Sequence, residues 1–407
     1  MEHTAADADA APAFSPEEAS DLLINWDVVA RTAALAPAGP RLSSREIAEE
    51  VSALREAASA SVAHVHRLTG LDVAAGLGER PEETLVVDRA TWAAGNARSF
   101  RTMLGPAMQA ALESRPELGR EGSNAQVFGS AITGSELGGM LAFLSANVLG
   151  QFDPFDTSAP AGRGHLMLVA PTIAQVRREL NVVPEDFRLW ICLHEQTHRV
   201  QFAAAPWLVD HLMEQITVLS RSTLGGAGDL GERLREMIGR MKEAVGASAE
   251  STDDVGEPGS GTGSGTDVDG EPASAPPRNR LIEAVASAEG REAFSRATAT
   301  MSLLEGHANH IMDAVDSSIV PSVKTIRRRF ERRGRNRGML DRAIRRLLQL
   351  DVKARQYRDG QRFVDHVVGA VGMEQFNRVW ESVEHLPSET ELHDPDRWIA
   401  RMELPRA

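Results

Sequence analysis

One stretch near the middle of the chain constrains the fold most, because it combines helical periodicity with ionisable side chains that must be buried. It spans residues 187–202 and has the sequence FRLWICLHEQTHRVQF. Apolar residues flank the ionisable ones at helical spacing, which predicts a helix buried on several faces. Burying two histidines and a glutamate without partners is costly. The remainder of the chain must therefore fold so that polar partners meet this helix.

The ionisable residues of this helix have the spacing of a metal site. His194 and His198 are four residues apart, so both imidazole rings project from one face and can bind one ion. Glu195 lies about 100° around the helix from His194, too far to join the ligands easily. It is well placed to accept a proton from a water molecule at the ion. The pattern predicts a Zn²⁺-dependent hydrolase with Glu195 as its general base.

A catalytic zinc site needs a third protein ligand, and the sequence near His198 does not supply one. Gln201 and Ala204 replace the glycine and the third histidine of the metzincin continuation. Glu305 is the best candidate, because it is a carboxylate in a helical segment with mostly apolar neighbours. Asn309, one turn later, is a candidate to hydrogen-bond the outer nitrogen of a ligand histidine. Three histidines remain as alternative ligands: His211, His307 and His310.

The motifs resemble those of known peptidases. His-Glu-x-x-His with a distant Glu-x-x-x-Asp is the gluzincin pattern of thermolysin-like peptidases, although Asn309 replaces the aspartate here. More closely, the chain resembles an actinobacterial family of zincin-like metallopeptidases, often labelled as hydrolases associated with deazaflavin-coenzyme biosynthesis. The matching stretches, found from about residue 20 to the C-terminus, are LVAP at 168–171, the segment 187–202, APWL at 205–208, LEGHA at 304–308, QYRDG at 356–360 and DRWIAR at 396–401. The resemblance implies a zincin-like fold and zinc peptidase activity on a peptide or protein. Its label denotes a genomic association, not a step in coenzyme synthesis.

Tyr357, the only tyrosine, is a second candidate catalytic residue. In peptidases of this kind, a tyrosine or histidine often donates a hydrogen bond to the oxyanion of the tetrahedral intermediate. Tyr357 can fill this role, and His307 is an alternative donor. The competing interpretation is a tyrosine that only packs.

Periodicity along the whole chain predicts the fold class. Helical patterns dominate, so we expect a mainly α, zincin-like fold with a small β element beside the helix of residues 187–202. Residues 165–171 form a short β-prone run between a glycine and a proline, which predicts a strand. Residues 150–155 predict a loop.

Composition predicts the division of the chain into regions. Residues 1–14 are expected to be a disordered tail, 15–150 an N-terminal helical region, and 151–407 the catalytic region. Residues 248–279 are rich in Gly, Ser, Asp, Thr and Pro and nearly free of large apolar side chains. We expect a disordered insertion there, since this composition cannot repay the entropy of ordering.

Charge and cysteine content limit the function classes. The net charge is -14, which disfavours general nucleic-acid binding. The basic segment 324–346 is the exception, and we interpret it as a solvated face rather than a binding patch. Cys192 is the only cysteine, which excludes an internal disulfide and favours a cytoplasmic location. No signal peptide or membrane span is expected. The sequence does not indicate the oligomeric state.

One function of a different class remains open on these grounds. The fold can serve as a scaffold, with or without zinc, that acts through protein contacts and not through catalysis. The two histidines would then be exposed, or buried and bonded to the backbone.

Overall fold

The computed structural model describes residues 14–114, 124–160, 163–224, 287–336 and 350–406, without the side chains of residues 124–129, 223–224, 334–336 and 350–358. The predicted insertion at 248–279 and all but the last residue of the predicted tail at 1–14 lie outside this part of the chain.

Helices form most of the described chain, which confirms the predicted fold class. Their bounds are α1 Pro16–Leu23, α2 Trp26–Ala33, α3 Ser44–Thr69, α4 Arg89–Ser114, α5 Asn124–Ser145, α6 Ala170–Leu180, α7 Pro184–Ala204, α8 Leu208–Leu224, α9 Ala288–Ala314, α10 Val323–Asn336, α11 Leu350–Phe376, α12 Glu389–His393 and α13 Pro395–Arg401. Short 3-10 turns span Asp72–Glu79, Pro81–Glu83, Asn377–Trp380 and Val383–His385. The helical path of α11 is interrupted at Gly372, where φ is 82°.

Local sequence explains where several helices begin. Capping boxes, in which a serine and a glutamate three residues later satisfy each other's backbone N–H groups, start α1, α3 and α12. Proline occupies the first turn of α7, where its missing N–H costs no intrahelical hydrogen bond. Glu185 and Asp186 follow in the same turn, where their negative charges interact favourably with the positive end of the helix dipole.

A three-stranded sheet is the β element expected beside α7. Its strands are β1 Thr84–Val87, β2 Gly150–Asp153 and β3 His165–Val169, in the order β1-β3-β2. β1 runs parallel to β3, and β2 runs antiparallel to it with Phe152 opposite Leu166. The prediction of a loop at 150–155 is wrong for β2, because pairing with β3 imposes a strand on a segment of weak β propensity. β1 belongs to the proposed N-terminal region and pairs with β3 of the proposed catalytic region. The boundary between these two regions at residue 150 stays a prediction.

Three apolar clusters surround the sheet. The first joins α3, α6, α7, α10 and the end of α9, the second joins α8, the middle of α9 and the C-terminal helices, and the third joins α1, α2, α4 and α5. β3 separates two of them, because Leu168 packs into the first cluster while Met167 and Val169 pack into the third. The metal-motif helix α7 therefore lies, together with α3, on the opposite side of the central strand from α1, α2, α4 and α5.

The basic helix α10 is tied to its neighbours by several of its arginines. Arg327 contacts Asp313, Arg333 contacts Glu179, and Arg329 donates to the Leu180 carbonyl at the end of α6. These contacts pair arginines with acidic neighbours, which favours a helix face that offsets acidic charge over a binding patch in the described part of 324–346; residues 337–346 lie outside it. Among the described helices, none is both long enough and apolar enough to cross a membrane.

Candidate metal centre

The two histidines of α7 come together as their spacing predicts. His194 and His198 lie one turn apart, with ring centroids separated by 4.9 Å and ring planes at 88°. Both side chains are half-buried. The other faces of α7 pack into the first apolar cluster through Cys192, Leu193 and Val200. The helix is thus anchored in the core while its metal-motif face stays partly open.

Glu305 reaches the same place from α9. Its Oε1 lies 3.8 Å from Nε2 of His198. Each of His194, His198 and Glu305 offers one ligand atom, and these three atoms all lie within 4.8 Å of one another. More than one hundred residues separate the two helices in sequence, so tertiary packing alone brings the carboxylate to the histidines.

The three side chains suit a divalent metal such as zinc. Two imidazole nitrogens and one carboxylate oxygen are a common catalytic zinc donor set, which leaves a position open for water or substrate. Burial, together with the neighbouring His198, lowers the pKa of His194 to about 4, so its lone pair is free to coordinate at neutral pH. A shared ion needs ligand atoms about 3–4 Å apart. Rotation of the partly exposed Glu305 side chain can supply the small adjustment.

Glu195 lies beside this group and outside it. Its side chain is 9% exposed, and burial raises its pKa to about 7. The carboxylate faces the start of β2, where a Cβ added to Gly150 would lie 2.8 Å from Cγ of Glu195. Glycine at the start of this strand therefore makes room for the glutamate between the sheet and α7.

Gln201 connects the metal-motif helix to the helix of Glu305. It is fully buried, and its Oε1 lies 2.9 Å from Nδ1 of His198. Its Nε2 lies 2.9 Å from the Leu304 carbonyl oxygen and 3.0 Å from Nδ1 of His307. Asn309, the candidate for this outer hydrogen bond in the sequence, makes no bond to either ligand histidine among the described residues. A polar residue one turn after His198 on an otherwise buried helix was the available signal.

The alternative ligands are engaged elsewhere. His307 is buried, bonded to Gln201, and packed against the rings of Phe376 and Trp380. Burial lowers its pKa to about 3. His310 contacts Asp365 at 2.6 Å, and His211 lies 3.5 Å from Oγ1 of Thr300. None of these three joins the ligand group found among the described residues.

Tyr357 lies in α11, but its side chain is outside the described part of the structure. It comes three residues before Gly360, which packs directly on the backbone of α9. A Cβ on Gly360 would overlap Ser302, and one on Gly306 would overlap Gly360. Gly306 follows Glu305 in sequence, so this close helix crossing lies beside the carboxylate ligand.

Comparison with known proteins agrees with this architecture. The chain is similar to a crystal structure from Chloroflexus aurantiacus described as a "putative hydrolase with a novel fold". The two share 28% identity with a TM-score of 0.56, over 94% of this chain and 99% of the other. No curated protein matches the sequence. The model of the zincin-like metallopeptidase family matches residues 24–399, and the chain therefore belongs to that family.

Proposed function

We propose that this protein is a zinc-dependent hydrolase that cleaves peptide bonds. The observation that carries the proposal is the convergence of His194, His198 and Glu305, with Glu195 beside them. Zinc bound by these ligands would supply Lewis acidity, which lowers the pKa of water towards about 7 and polarises a carbonyl group. Membership of the zincin-like metallopeptidase family supports the choice of metal and reaction class.

Glu195 acts as the general base in this proposal. Its carboxylate accepts a proton from the attacking water and later delivers a proton to the leaving amine. A general base works best when its pKa lies near the working pH, and burial brings the pKa of Glu195 to about 7. Gly150 of the adjacent β2 packs against the Glu195 side chain and helps to exclude bulk water from that side of it.

An extended peptide is the substrate class that the sheet favours. β2 is an outer strand, and its first residue, Gly150, contacts Glu195. Within the described residues, no strand pairs with the outer edge of β2. An extended chain can add to such an edge through backbone hydrogen bonds. A peptide bound there would pass close to the Glu195 carboxylate.

Tyr357 is proposed as the donor to the oxyanion. Its place in α11, one turn before the crossing with α9 beside Glu305, supports this role. We also retain the narrower expectations that the protein is cytoplasmic, which its single, buried cysteine supports, and that it belongs to the actinobacterial, deazaflavin-associated branch. No step in coenzyme synthesis is part of the proposal.

Substitution of the general base tests the function. Protein purified without added zinc should contain about one zinc per chain. Glu195→Gln should keep the zinc and lose turnover of a peptide library, measured by mass spectrometry, because the amide cannot accept the proton. Glu185→Gln is the matched control, since Glu185 lies on the same helix and its side chain is 77% exposed.

Two outcomes would count against the proposal. Peptide turnover that survives in Glu195→Gln removes the assigned base. Zinc bound stoichiometrically by a wild-type protein that cleaves no member of the library favours the scaffold function instead.

A further inference from the structure

We propose that Gln201 is a positioning residue that holds the His198 proton on Nδ1 and ties this ligand to the helix that carries Glu305. The inference rests on the proposed zinc site, and it adds a residue that no family motif assigns here. It follows from three hydrogen bonds made by one buried amide.

The orientation of the Gln201 amide is fixed by its contact with a backbone carbonyl. The Leu304 oxygen can only accept, so the side-chain atom 2.9 Å from it must be the NH2 group. The Gln201 oxygen therefore faces His198, at 2.9 Å from Nδ1. An amide oxygen can only accept, so Nδ1 of His198 must carry a proton.

The tautomer of His198 determines which nitrogen can bind metal. With the proton on Nδ1, the lone pair of the neutral ring is on Nε2. Nε2 is the atom that lies 3.8 Å from the Glu305 carboxylate. A carbonyl on α9 thus sets, through Gln201, the donor atom that His198 presents to the ion.

The second N–H of the amide fixes another histidine. Nε2 of Gln201 lies 3.0 Å from Nδ1 of His307, which must accept and is therefore protonated on Nε2. Both N–H groups and the oxygen of the amide thus have partners, in a side chain with no exposed surface. Turning the amide over would place its NH2 group against a donor and its oxygen against a carbonyl.

Gln196 shows what this arrangement adds. It lies on the same helix, is equally buried, and has no hydrogen-bond partner for either amide atom among the described residues. The two residues have the same side chain and the same burial, but only Gln201 contacts the metal ligand His198. Outer partners of metal ligands typically contribute about 10- to 100-fold to metal affinity, so their replacements should differ by that amount.

The experiment compares Gln201→Met and Gln201→Glu with the matched control Gln196→Met in the full chain. Zinc affinity is measured by competition with a chelator. The His198 tautomer is measured without zinc, by proton–nitrogen NMR correlation on protein with labelled histidine rings, assigned by comparison with His198→Ala. Circular dichroism checks that each variant is folded.

We expect Gln201→Met to lose about 10- to 100-fold in zinc affinity and its defined Nδ1–H tautomer. Gln201→Glu keeps an acceptor for His198, so it should retain the tautomer and recover part of the affinity. Gln196→Met should bind zinc as the wild type does.

The inference is overturned if folded Gln201→Met matches the wild type in affinity, or if wild-type His198 carries its proton on Nε2. Should Gln201→Met not fold, the wild-type tautomer and Gln201→Glu decide. A wild type that binds no zinc ends the proposed function, while the tautomer measurement still tests the hydrogen bonds to Gln201.

Discussion

Burial gives opposite properties to the adjacent residues His194 and Glu195. Removal from water disfavours the charged form of each group. It lowers the pKa of His194 to about 4, which keeps this ring neutral and able to coordinate. It raises the pKa of Glu195 to about 7, which makes its carboxylate a better proton acceptor. A metal ligand and a general base can occupy consecutive positions, because the two side chains project from different faces of one helix.

Glu305 supplies the only charged ligand of the candidate site, and its replacement should be severe. We expect Glu305→Gln to lower zinc affinity by more than the roughly 100-fold typical of outer partners, because a neutral amide replaces a coordinating anion. Chelator competition provides the measurement. Glu292→Gln, at an exposed position of the same helix, is the control. Equal zinc affinities for the two variants would exclude Glu305 as a ligand.

At this scale the sequence predicted what is local. The spacing of His194 and His198 follows from helix geometry alone, and Glu305 was inferred from a carboxylate among apolar neighbours. The role of Gln201 could not be inferred, because its partner is a backbone carbonyl more than one hundred residues away. A polar side chain on a buried helix signals that a partner exists, but it does not identify a carbonyl so distant in sequence.

Short strands were harder to predict than helices. The helices carry periodic patterns and caps within themselves, whereas β1 and β2 have four residues each and obtain their conformation from pairing with β3. The close crossing of α9 and α11 at Gly306 and Gly360 was equally hard to predict. Glycine lowers the stability of a helix, so its presence in the sequence does not by itself indicate a helix contact. Tertiary partners, absent from the local sequence, decide these elements.

The end of β2 depends on two buried aspartates with opposite electrostatics. Burial raises the pKa of Asp153, which accepts hydrogen bonds from Ser99 at 2.6 Å and from the Phe155 N–H at 3.0 Å. Burial also favours the neutral acid of Asp156, but hydrogen bonds donated by Ser158 and His165 outweigh it and lower the pKa. The two carboxylates should therefore respond to pH in opposite directions.

Replacement of each aspartate by asparagine tests this difference. A group whose pKa is higher in the folded than in the unfolded state stabilises the protein at low pH. This stability is lost as pH rises through the folded-state pKa. Asp153→Asn, which cannot ionise, should therefore gain stability relative to wild type as pH rises from acid to neutral. The stability that Asp156 contributes is present above its unfolded pKa and is lost in acid. Asp156→Asn should therefore lose stability relative to the wild type as pH rises from acid to neutral.

Thermal melts of the three proteins across this pH range provide the measurement. The difference between each variant and the wild type isolates the substituted group from other titrations. Parallel curves for both variants would contradict the assigned pKa directions.

For the molecule as a whole, the mainly α fold was predictable because helical periodicity extends along most of the chain. The placement of the metal centre was not. It lies where two apolar clusters meet, with α7 in the first and the segment of α9 before Glu305 in the second. A bound ion would link these clusters directly, in addition to the hydrogen bonds of Gln201.

Metal removal should therefore weaken the junction between the clusters. An ion that binds only the folded state, at a free concentration 100 times its Kd, stabilises by about 2.7 kcal/mol. We expect a chelator to lower Tm by several degrees and to speed amide hydrogen exchange in α9 around Glu305 more than in α3, which contributes only to the first cluster. His198→Ala should start from the lower Tm and show no response to chelator, because the link is already broken. A chelator effect of equal size in His198→Ala would mean that the ion stabilises the protein from another site.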